Sequence, residues 1–218
     1  MRLANHRDLG GLVAENGQLT RSGRLFRSAA PEPSDDPGDS GYALVVDLRC
    51  TSEWEAPEHP FATYARVMSM PLLTESDHLH AIENFDRIDV PAWYAYVVQQ
   101  YAHQLVRTAT TCMTTDGPVL VHCAAGKDRT GLLVGLLLRL AGVSAQQVEA
   151  DYLRSNDHLR EIWRSERGPI PDAARSESIR AAMATWDRRG GVAAWFRRHG
   201  GRDEDVASWT SSFLRVNE

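Results

Sequence analysis

Short apolar runs alternate along the chain with longer segments in which hydrophobic residues recur every three or four positions. Four short runs, at 24–28, 42–49, 65–72 and 118–122, have the length and apolar content typical of strands buried in a sheet. An Asn16-Gly17 pair before the first of them favours a hairpin turn. These patterns predict a β-rich start and a sheet built from well-separated parts of the chain.

Helical periodicity fills much of the remaining sequence. A long helix is predicted to open at Pro91, continue over 92–111 and stop before Asp116-Gly117. Residues 129–142 are apolar on nearly every side, which indicates a helix buried at the centre of the fold. Further amphipathic helices are predicted at 145–157, 172–189, 192–199 and 203–215. Thr74 to Asp89 is instead a polar connecting segment.

This succession predicts an α/β fold with a central, mostly parallel sheet flanked by helices and a helical C-terminal part. With 218 residues, 43% of them hydrophobic, we expect a single domain over 1–218. Within it we distinguish a β-rich entry segment at 1–30, a strand, loop and buried helix at 117–142, and the helical part at 172–218.

Charge and cysteine content narrow the classes of function. The formal net charge of -5 gives no general attraction for nucleic acid or anionic membranes, so any anion site must be local. The three cysteines, Cys50, Cys112 and Cys123, are widely spaced and predict neither a disulfide framework nor a zinc site. Since we find no signal peptide and no transmembrane segment, we expect a cytoplasmic protein.

The most informative stretch is "VLVHCAAGKDRTGLLVG", at 119–135, where polar residues interrupt two apolar runs. A loop between a buried strand and a helix directs backbone N–H groups and the positive end of the helix towards one point, which favours anion binding. Cys123 begins this loop, and we expect its thiol to act as a thiolate nucleophile there. Arg129, six positions later, can hold the oxygens of a phosphoryl group with its planar guanidinium.

The other residues of the stretch fit the same chemistry. We call residues 123–129 the anion loop, and predict that all of them bind phosphate: Cys123, Ala124, Ala125, Gly126, Lys127, Asp128 and Arg129. Gly126 allows the backbone to curl. His122 is predicted to orient the strand end and tune the thiolate, and the Thr130 hydroxyl to stabilise the sulfur as a leaving group. Such phosphocysteine chemistry needs no metal and no cofactor.

The complete run His-Cys-Ala-Ala-Gly-Lys-Asp-Arg-Thr-Gly resembles the cysteine-dependent protein tyrosine phosphatases, and within them the atypical bacterial branch active on tyrosine, serine/threonine and phosphoinositide phosphates. "NHRDLGG" is similar to the N-F-R-D-x-G-G motif of that branch, with His6 in place of phenylalanine. "VVDLRCTSE" and "ADYLRSND" are similar to its D-L-R strand end and to a later helix. The resemblance implies an α/β phosphatase domain with Cys123 as nucleophile and Arg129 as phosphate clamp.

Two further roles rest partly on this resemblance. A lysine at the position of Lys127 reaches additional inositol phosphates in lipid phosphatases with a similar loop, and the alternative is a solvated lysine at the rim. For the general acid the resemblance favours Asp47, whose alternative is a structural carboxylate bonded to Arg49. Asp128, Asp86 and Asp89 are the other candidates, because the W-P-D motif of ordinary tyrosine phosphatases is missing.

The sequence therefore predicts a metal-independent phosphatase that acts first of all on phosphotyrosine in proteins, with phosphoprotein or phosphoinositide substrates as partners and no nucleic acid. Phosphoinositide or inositol phosphate hydrolysis is the first alternative, and a non-catalytic phosphate-dependent binding protein is the second. A further hypothesis is that Cys50 forms a disulfide with Cys123 on oxidation.

Overall fold

A central five-stranded sheet organises the structure, a computed structural model that describes residues 3–35, 37, 41–158, 173–188 and 190–215. The strand order is β1-β3-β6-β4-β5, and all neighbours are parallel except the β1/β3 pair. The sheet strands are β1 (Arg7–Asp8), β3 (Leu25–Ser28), β4 (Leu44–Asp47), β5 (Arg66–Ser69) and β6 (Val119–His122). β2 (Leu19–Thr20) pairs separately with β7 (Leu214–Arg215), antiparallel. The predicted α/β fold with a mostly parallel sheet is confirmed.

Helices cover the sheet and supply most of the core. They are α1 (Glu75–Glu83), α2 (Val90–Gln100), α3 (Ala102–Thr114), α4 (Asp128–Leu140), α5 (Ala145–Leu153), α6 (Ser176–Asp187), α7 (Gly191–Arg198) and α8 (Asp203–Phe213). The central position predicted for α4 is confirmed, because nearly all of its residues are buried. Of the helix predicted at 172–189, the end residues 172 and 189 lie outside the described part of the chain.

One prediction for the middle of the chain is wrong. The single helix predicted from Pro91 is divided at Tyr101, whose backbone leaves helical geometry and whose hydroxyl donates to Asp77 Oδ2 at 2.6 Å. The polar segment before Pro91, for which no element was predicted, forms α1 and a 3-10 helix at Phe85–Arg87. Thr74 caps α1 by accepting from the Asp77 N–H, a local signal within an otherwise polar sequence.

The register of the sheet brings the polar strand ends to one edge. His122 at the end of β6 lies between Ser28 of β3 and Asp47 of β4. The carboxyl ends of parallel strands are where ligand sites of α/β proteins form. The anion loop leaves the sheet at this edge, between β6 and the N-terminus of α4.

Candidate active site

The backbone of the anion loop is shaped by a close approach to the chain that follows β3. Gly126 has a φ of +67°, and a Cβ atom on it would lie 2.2 Å from the carbonyl oxygen of Ser28. A side chain at this position would therefore meet both backbone strain and a backbone atom. The turn permits α4 to begin at Asp128, so that its N-terminal N–H groups lie next to the loop.

Cys123 and Arg129 lie at the two ends of this loop. Cys123 directly follows β6 and is only 2% exposed. Arg129 is in the first turn of α4, where both terminal nitrogens of its guanidinium donate to the carboxylate of Glu53, one of them over 2.6 Å. Burial alone would lower the pKa of Arg129, but the hydrogen bonds that it donates to Glu53, together with the negative charges of Glu53 and the nearby cysteines, raise that pKa above its ordinary value. Arg129 is thus a fixed cation beside the loop.

Glu53 was not predicted to have a role, although it closes the "DLRCTSE" stretch. It sits in a 3-10 helix, Thr51–Glu53, that begins just beyond the end of β4. Its carboxylate also accepts the Cys50 N–H at 2.7 Å and lies 3.6 Å from the Nε2 atom of His78. Burial alone would raise the pKa of Glu53, but the hydrogen bonds and charge of Arg129, together with the Cys50 N–H and the nearby His78, lower that pKa overall. Glu53 therefore stays ionised and orients Arg129.

Thr130 carries a buried hydroxyl that has no hydrogen-bond partner among the described residues. Leaving a buried hydroxyl unsatisfied typically costs about 1–3 kcal/mol. The position, one residue after Arg129, is the one predicted to hold the cysteine sulfur. An unused donor there agrees with that role, which stays a prediction.

His122 is a buried imidazole paired with a second one, that of His59. The Phe61 N–H donates to His59 Nδ1 at 3.1 Å, so neutral His59 carries its proton on Nε2, 2.9 Å from His122 Nε2. The proton of His122 is then on Nδ1, 3.2 Å from the Cys123 carbonyl and 3.8 Å from Asp47 Oδ1. Burial lowers the pKa of His122 to about 4, so the imidazole is neutral at physiological pH. His59 was not predicted as part of the site.

The environment of Asp47 argues against its predicted role as general acid. Its side chain is 0% exposed and accepts the Arg49 N–H at 2.9 Å and the Arg49 guanidinium at 2.8 Å. Burial alone would raise the pKa of Asp47, but the hydrogen bonds from Arg49, together with the charge of Arg49 and the nearby His122, lower it overall. An acid catalyst must carry a proton, whereas this carboxylate is held ionised. Its use as the acid would need Arg49 to move away.

The other acid candidates differ in their contacts. Asp89 caps α2 by accepting the Ala92 N–H at 3.1 Å, and Asp86 is an exposed residue of the 3-10 helix before it. Asp128 lies in the anion loop with a side chain 42% exposed, and accepts a short hydrogen bond from the Tyr94 hydroxyl. Tyr94 is joined to the Tyr152 hydroxyl at 2.7 Å, which ties the loop to α5. Asp128 is therefore the candidate that is both in the loop and open to solvent.

Lys127 is not the solvated rim lysine that was one of its two predicted alternatives. The residue is 1% exposed, and its Nζ atom lies 3.5 Å from Asp128 Oδ2. Lysine is rarely buried to this extent unless its charge is compensated. Contact with a second phosphate of a substrate stays a prediction.

Cys50 is a buried thiol that donates to the Leu73 carbonyl at 3.4 Å. Burial, followed by the nearby charge of Glu53, raises its pKa to about 11. A thiol of this kind reacts slowly. The described cysteines are all free, and a Cys50–Cys123 bridge stays a prediction.

Two buried groups offer side chains of the type that bind metals. Asp47, His59 and His122 form one group, and Cys50, Glu53 and His78 the other, with ligand atoms within 4.8 Å of each other. In both groups an arginine already pairs with the carboxylate, as Arg49 or Arg129. A cation placed there would compete with a guanidinium, so neither group is a favourable metal site.

A cavity of about 620 Å³ opens beside the anion loop, at Ala124 and Ala125. Its opposite wall includes Trp54 and His59, and Glu32, Glu55 and Glu58 lie on its rim as exposed residues. The volume is within the usual range for small-molecule and side-chain pockets, about 300–1,000 Å³.

The described part of the chain has no helix of the length and apolar character that crossing a bilayer requires.

Comparisons with known proteins point to one family. A family model described as the tyrosine phosphatase family matches residues 1–215. H16_A0669 of Cupriavidus necator, a tyrosine-protein phosphatase by name, is 34% identical over 166 residues, or 71% of this chain and 61% of that protein. The triple specificity protein phosphatase PtpB of Mycobacterium tuberculosis is 29% identical over 186 residues, or 69% of this chain and 67% of that protein. The chain thus spans only part of the length of these relatives.

Among solved structures, the crystal structure of P. aeruginosa TpbA is similar over 89% of each chain, at 21% identity and a TM-score of 0.34. The family match covers nearly the whole chain and both relatives are bacterial. The resemblance inferred from the sequence motifs is confirmed, and the chain belongs to the tyrosine phosphatase family.

Proposed function

We propose that the protein is a phosphatase that hydrolyses phosphotyrosine in proteins through a phosphocysteine intermediate on Cys123. The observation that carries this proposal is the placement of Cys123 and Arg129 at the two ends of one loop at a helix N-terminus. Together they supply a sulfur nucleophile, backbone donors and a guanidinium around one point. The names of the curated relatives support the same activity.

In the first step, the Cys123 thiolate attacks phosphorus and the bond between phosphorus and the tyrosine oxygen breaks. The Arg129 guanidinium and the loop N–H groups stabilise the charge on the three remaining phosphoryl oxygens. Arg129 uses one hydrogen of each terminal nitrogen for Glu53, so its Nε–H and the other terminal hydrogens are available to phosphate. A general acid protonates the leaving tyrosine oxygen.

In the second step, water attacks the phosphocysteine and the sulfur–phosphorus bond breaks. The former acid, now a carboxylate, accepts the proton of the attacking water. Inorganic phosphate leaves and the thiolate is restored, with the Thr130 hydroxyl donating to the sulfur as its negative charge returns. Neither step requires an oxidant, a metal or a cofactor.

The charge of the cavity rim favours a peptide over a phosphoinositide. Glu32, Glu55 and Glu58 are exposed on the rim, and none of them forms an ion pair with a described lysine or arginine. Arg49 and Arg129 are each paired with a carboxylate, so these two ion pairs add no net positive charge beside the rim. A headgroup carrying several phosphates would meet like charge at this rim, whereas a peptide with basic residues near its phosphotyrosine would be attracted. The buried Lys127 in the anion loop is the feature that keeps phosphoinositides as the second candidate.

Phosphate release from three substrates tests the proposal: a phosphotyrosine peptide with flanking lysines, the same peptide with flanking glutamates, and vesicles containing phosphoinositides. We expect the highest kcat/KM for the lysine peptide, full activity in EDTA, and loss of turnover with retained peptide binding in Cys123→Ser. Hydrolysis by Cys123→Ser would refute the phosphocysteine mechanism. A clear preference for the vesicles would instead favour the lipid substrate, and binding without turnover by the natural protein would favour a binding function.

A further inference from the structure

Four consecutive carbonyl groups of the anion loop, those of residues 124–127, are held by hydrogen bonds from outside the loop. We call the side of the loop opposite these bonds its concave face. These bonds are Ala30 N to Ala124 O at 2.8 Å, Asn5 Nδ2 to Ala125 O at 2.9 Å, Arg27 Nη2 to Gly126 O at 2.6 Å and Gly131 N to Lys127 O at 2.7 Å.

A carbonyl that is held fixed also fixes the next N–H group. The trans peptide is planar, so the C=O of one residue and the N–H of the following residue point in opposite directions. Four carbonyls directed away from the concave face therefore direct the N–H groups of residues 125–128 towards it. Within the described ranges, the N–H groups of Ala125 and Gly126 have no protein acceptor, as expected for donors kept for an anion.

The donors that hold these carbonyls are buried side chains. Arg27 is 1% exposed and lies on β3, beside Val121 of β6, and the same Nη2 atom also reaches Lys127 O at 3.3 Å. Asn5 donates to Gly126 O as well, at 3.1 Å. Two side chains from the N-terminal part of the chain thus bind three carbonyls of a loop about 100 residues or more away in sequence.

A buried ion cluster fixes both donors. Asp151 of α5 accepts from Arg27 Nη1 at 2.6 Å and from Arg7 Nε at 2.7 Å. Arg7 in turn donates to Asn5 Oδ1 at 2.6 Å, which leaves the Asn5 NH₂ group facing the loop. Two guanidinium groups and one carboxylate leave a net charge of +1 on the outer side of the loop, a charge that also attracts an anion on the other side.

We propose that Asn5 and Arg27, held by Asp151 and Arg7, are positioning residues that aim the N–H groups of the anion loop at the substrate phosphoryl group. The inference rests on the proposed function, since it concerns how that site holds its anion. It gives the N-terminal "NHRD" stretch and the "ADYL" stretch of α5 one shared task. None of these four side chains touches the reacting atoms.

The alternative is that the cluster only stabilises the fold, and buried ion clusters often contribute little net stability. Arg24 provides a matched control, because it directly precedes the same strand and also binds carbonyls, those of Gly117 and Thr115, at the opposite end of β6. The test compares Asn5→Ala, Arg27→Met and Arg27→Lys with Arg24→Met. Asn5→Ala removes one acceptor of Arg7 but keeps both ion pairs of Asp151, and therefore gives an answer even if Arg27→Met does not fold.

Two measurements report on the loop without turnover: the affinity for tungstate, an oxyanion shaped like phosphate, and the pH dependence of Cys123 alkylation by iodoacetamide. We expect Asn5→Ala to bind tungstate roughly tenfold more weakly and Arg27→Met roughly 100-fold more weakly. The alkylation midpoint should move to higher pH in both variants. Arg27→Lys keeps the positive charge, so its tungstate affinity and its alkylation midpoint should lie between those of the natural protein and Arg27→Met. Arg24→Met should lower the Tm without changing either measurement.

Equal behaviour of the Asn5, Arg27 and Arg24 variants in these two measurements would overturn the inference and leave the proposed function untouched. If the natural protein binds no tungstate and hydrolyses no phosphotyrosine, the proposed function fails first. The two failures are therefore distinguishable. A split between kcat and KM adds a further check, since misdirected N–H groups should lower kcat as well as raise KM for phosphotyrosine peptide.

Discussion

At the scale of single residues, the pair between Glu53 and Arg129 links the start of α4 to the segment after β4. Charge-assisted, bidentate contacts of this kind fix a guanidinium in one plane. Replacing Glu53 by Gln keeps the shape but removes the charge, so we expect kcat/KM for a phosphotyrosine peptide to fall about 10- to 100-fold, as for the loss of a hydrogen bond to a charged group. Steady-state kinetics measures this. Glu83→Gln, which removes the same charge at an exposed position of α1, is the matched control, and equal kinetics of the two variants would contradict a role for Glu53.

The general acid can be identified from its effect on the leaving group. Removing the acid should slow phenyl phosphate, a poor leaving group, far more than p-nitrophenyl phosphate, and should remove the fall in activity at high pH, where the acid loses its proton. Because Asp47 is held ionised by Arg49, we expect both effects in Asp128→Asn and not in Asp47→Asn. Asp47→Asn should mainly lower the Tm. The reverse result would return the acid role to Asp47 and require the Arg49 pair to open during turnover.

At the scale of elements, the anion loop depends on the space between it and the chain after β3. Gly126→Ala would combine an unfavourable φ with a Cβ atom 2.2 Å from the Ser28 carbonyl, so we expect loss of at least about 100-fold in kcat/KM and a lower Tm. Gly142 also has a positive φ, +84°, but its Cβ would meet nothing within 4 Å. Comparing Gly142→Ala with Gly126→Ala by kinetics and thermal unfolding separates backbone strain from the clash. A Gly126→Ala enzyme as active as Gly142→Ala would show that the loop tolerates a shift.

The elements that the sequence predicts best are those with a strong local pattern. β4, β6 and α4 are short or continuous apolar segments flanked by polar residues, and the structure has them where the periodicity puts them. The division between α2 and α3 escapes the pattern, because apolar spacing continues through Tyr101 while a contact with Asp77 on α1 interrupts the helix. The β2/β7 pairing joins residues about 195 positions apart in sequence, and local composition carries no signal for it.

The same distinction explains which parts of the candidate site the sequence reveals. Cys123, Arg129 and Thr130 lie within eight consecutive residues, so their shared chemistry is visible in one motif. Glu53 and Arg27 act on that motif from 76 and about 100 positions away, through contacts that only the folded chain creates. His59 is similar, since its role depends on an imidazole, His122, 63 positions along the chain. The topology of the folded chain decides which residues meet when they are so far apart in sequence.

At the scale of the whole molecule, two buried polar clusters flank the end of β6. Asp47, Arg49, His59 and His122 lie on one side, and Arg7, Arg27 and Asp151 on the other. Buried charges and imidazoles are costly unless paired, so each cluster requires that strands and helices from the whole chain meet correctly. We infer that the ends of β3, β4 and β6 form as a unit with the anion loop. Removing a charged or imidazole side chain from either cluster should therefore lower the free energy of unfolding and also disturb the anion loop.

This arrangement predicts how stability depends on pH. Burial lowers the pKa of His122 from 6.5 to about 4 and also lowers that of His59, so between pH 6.5 and 4 the unfolded chain binds protons that the native protein does not. The free energy of unfolding should thus fall as the pH drops through this window, by up to about 3 kcal/mol for His122. Urea unfolding followed by tryptophan fluorescence at pH 7.5, 6, 5 and 4.5 measures the slope of the free energy of unfolding against pH.

Two variants test the assignment to His122. His122→Asn should be less stable at pH 7.5 but show a flatter slope, whereas His80→Gln, at an exposed position on α1, should keep the natural slope. Parallel slopes for the natural protein and His122→Asn would mean that His122 takes up its proton equally in both states, and that the imidazole pair opens in the native protein.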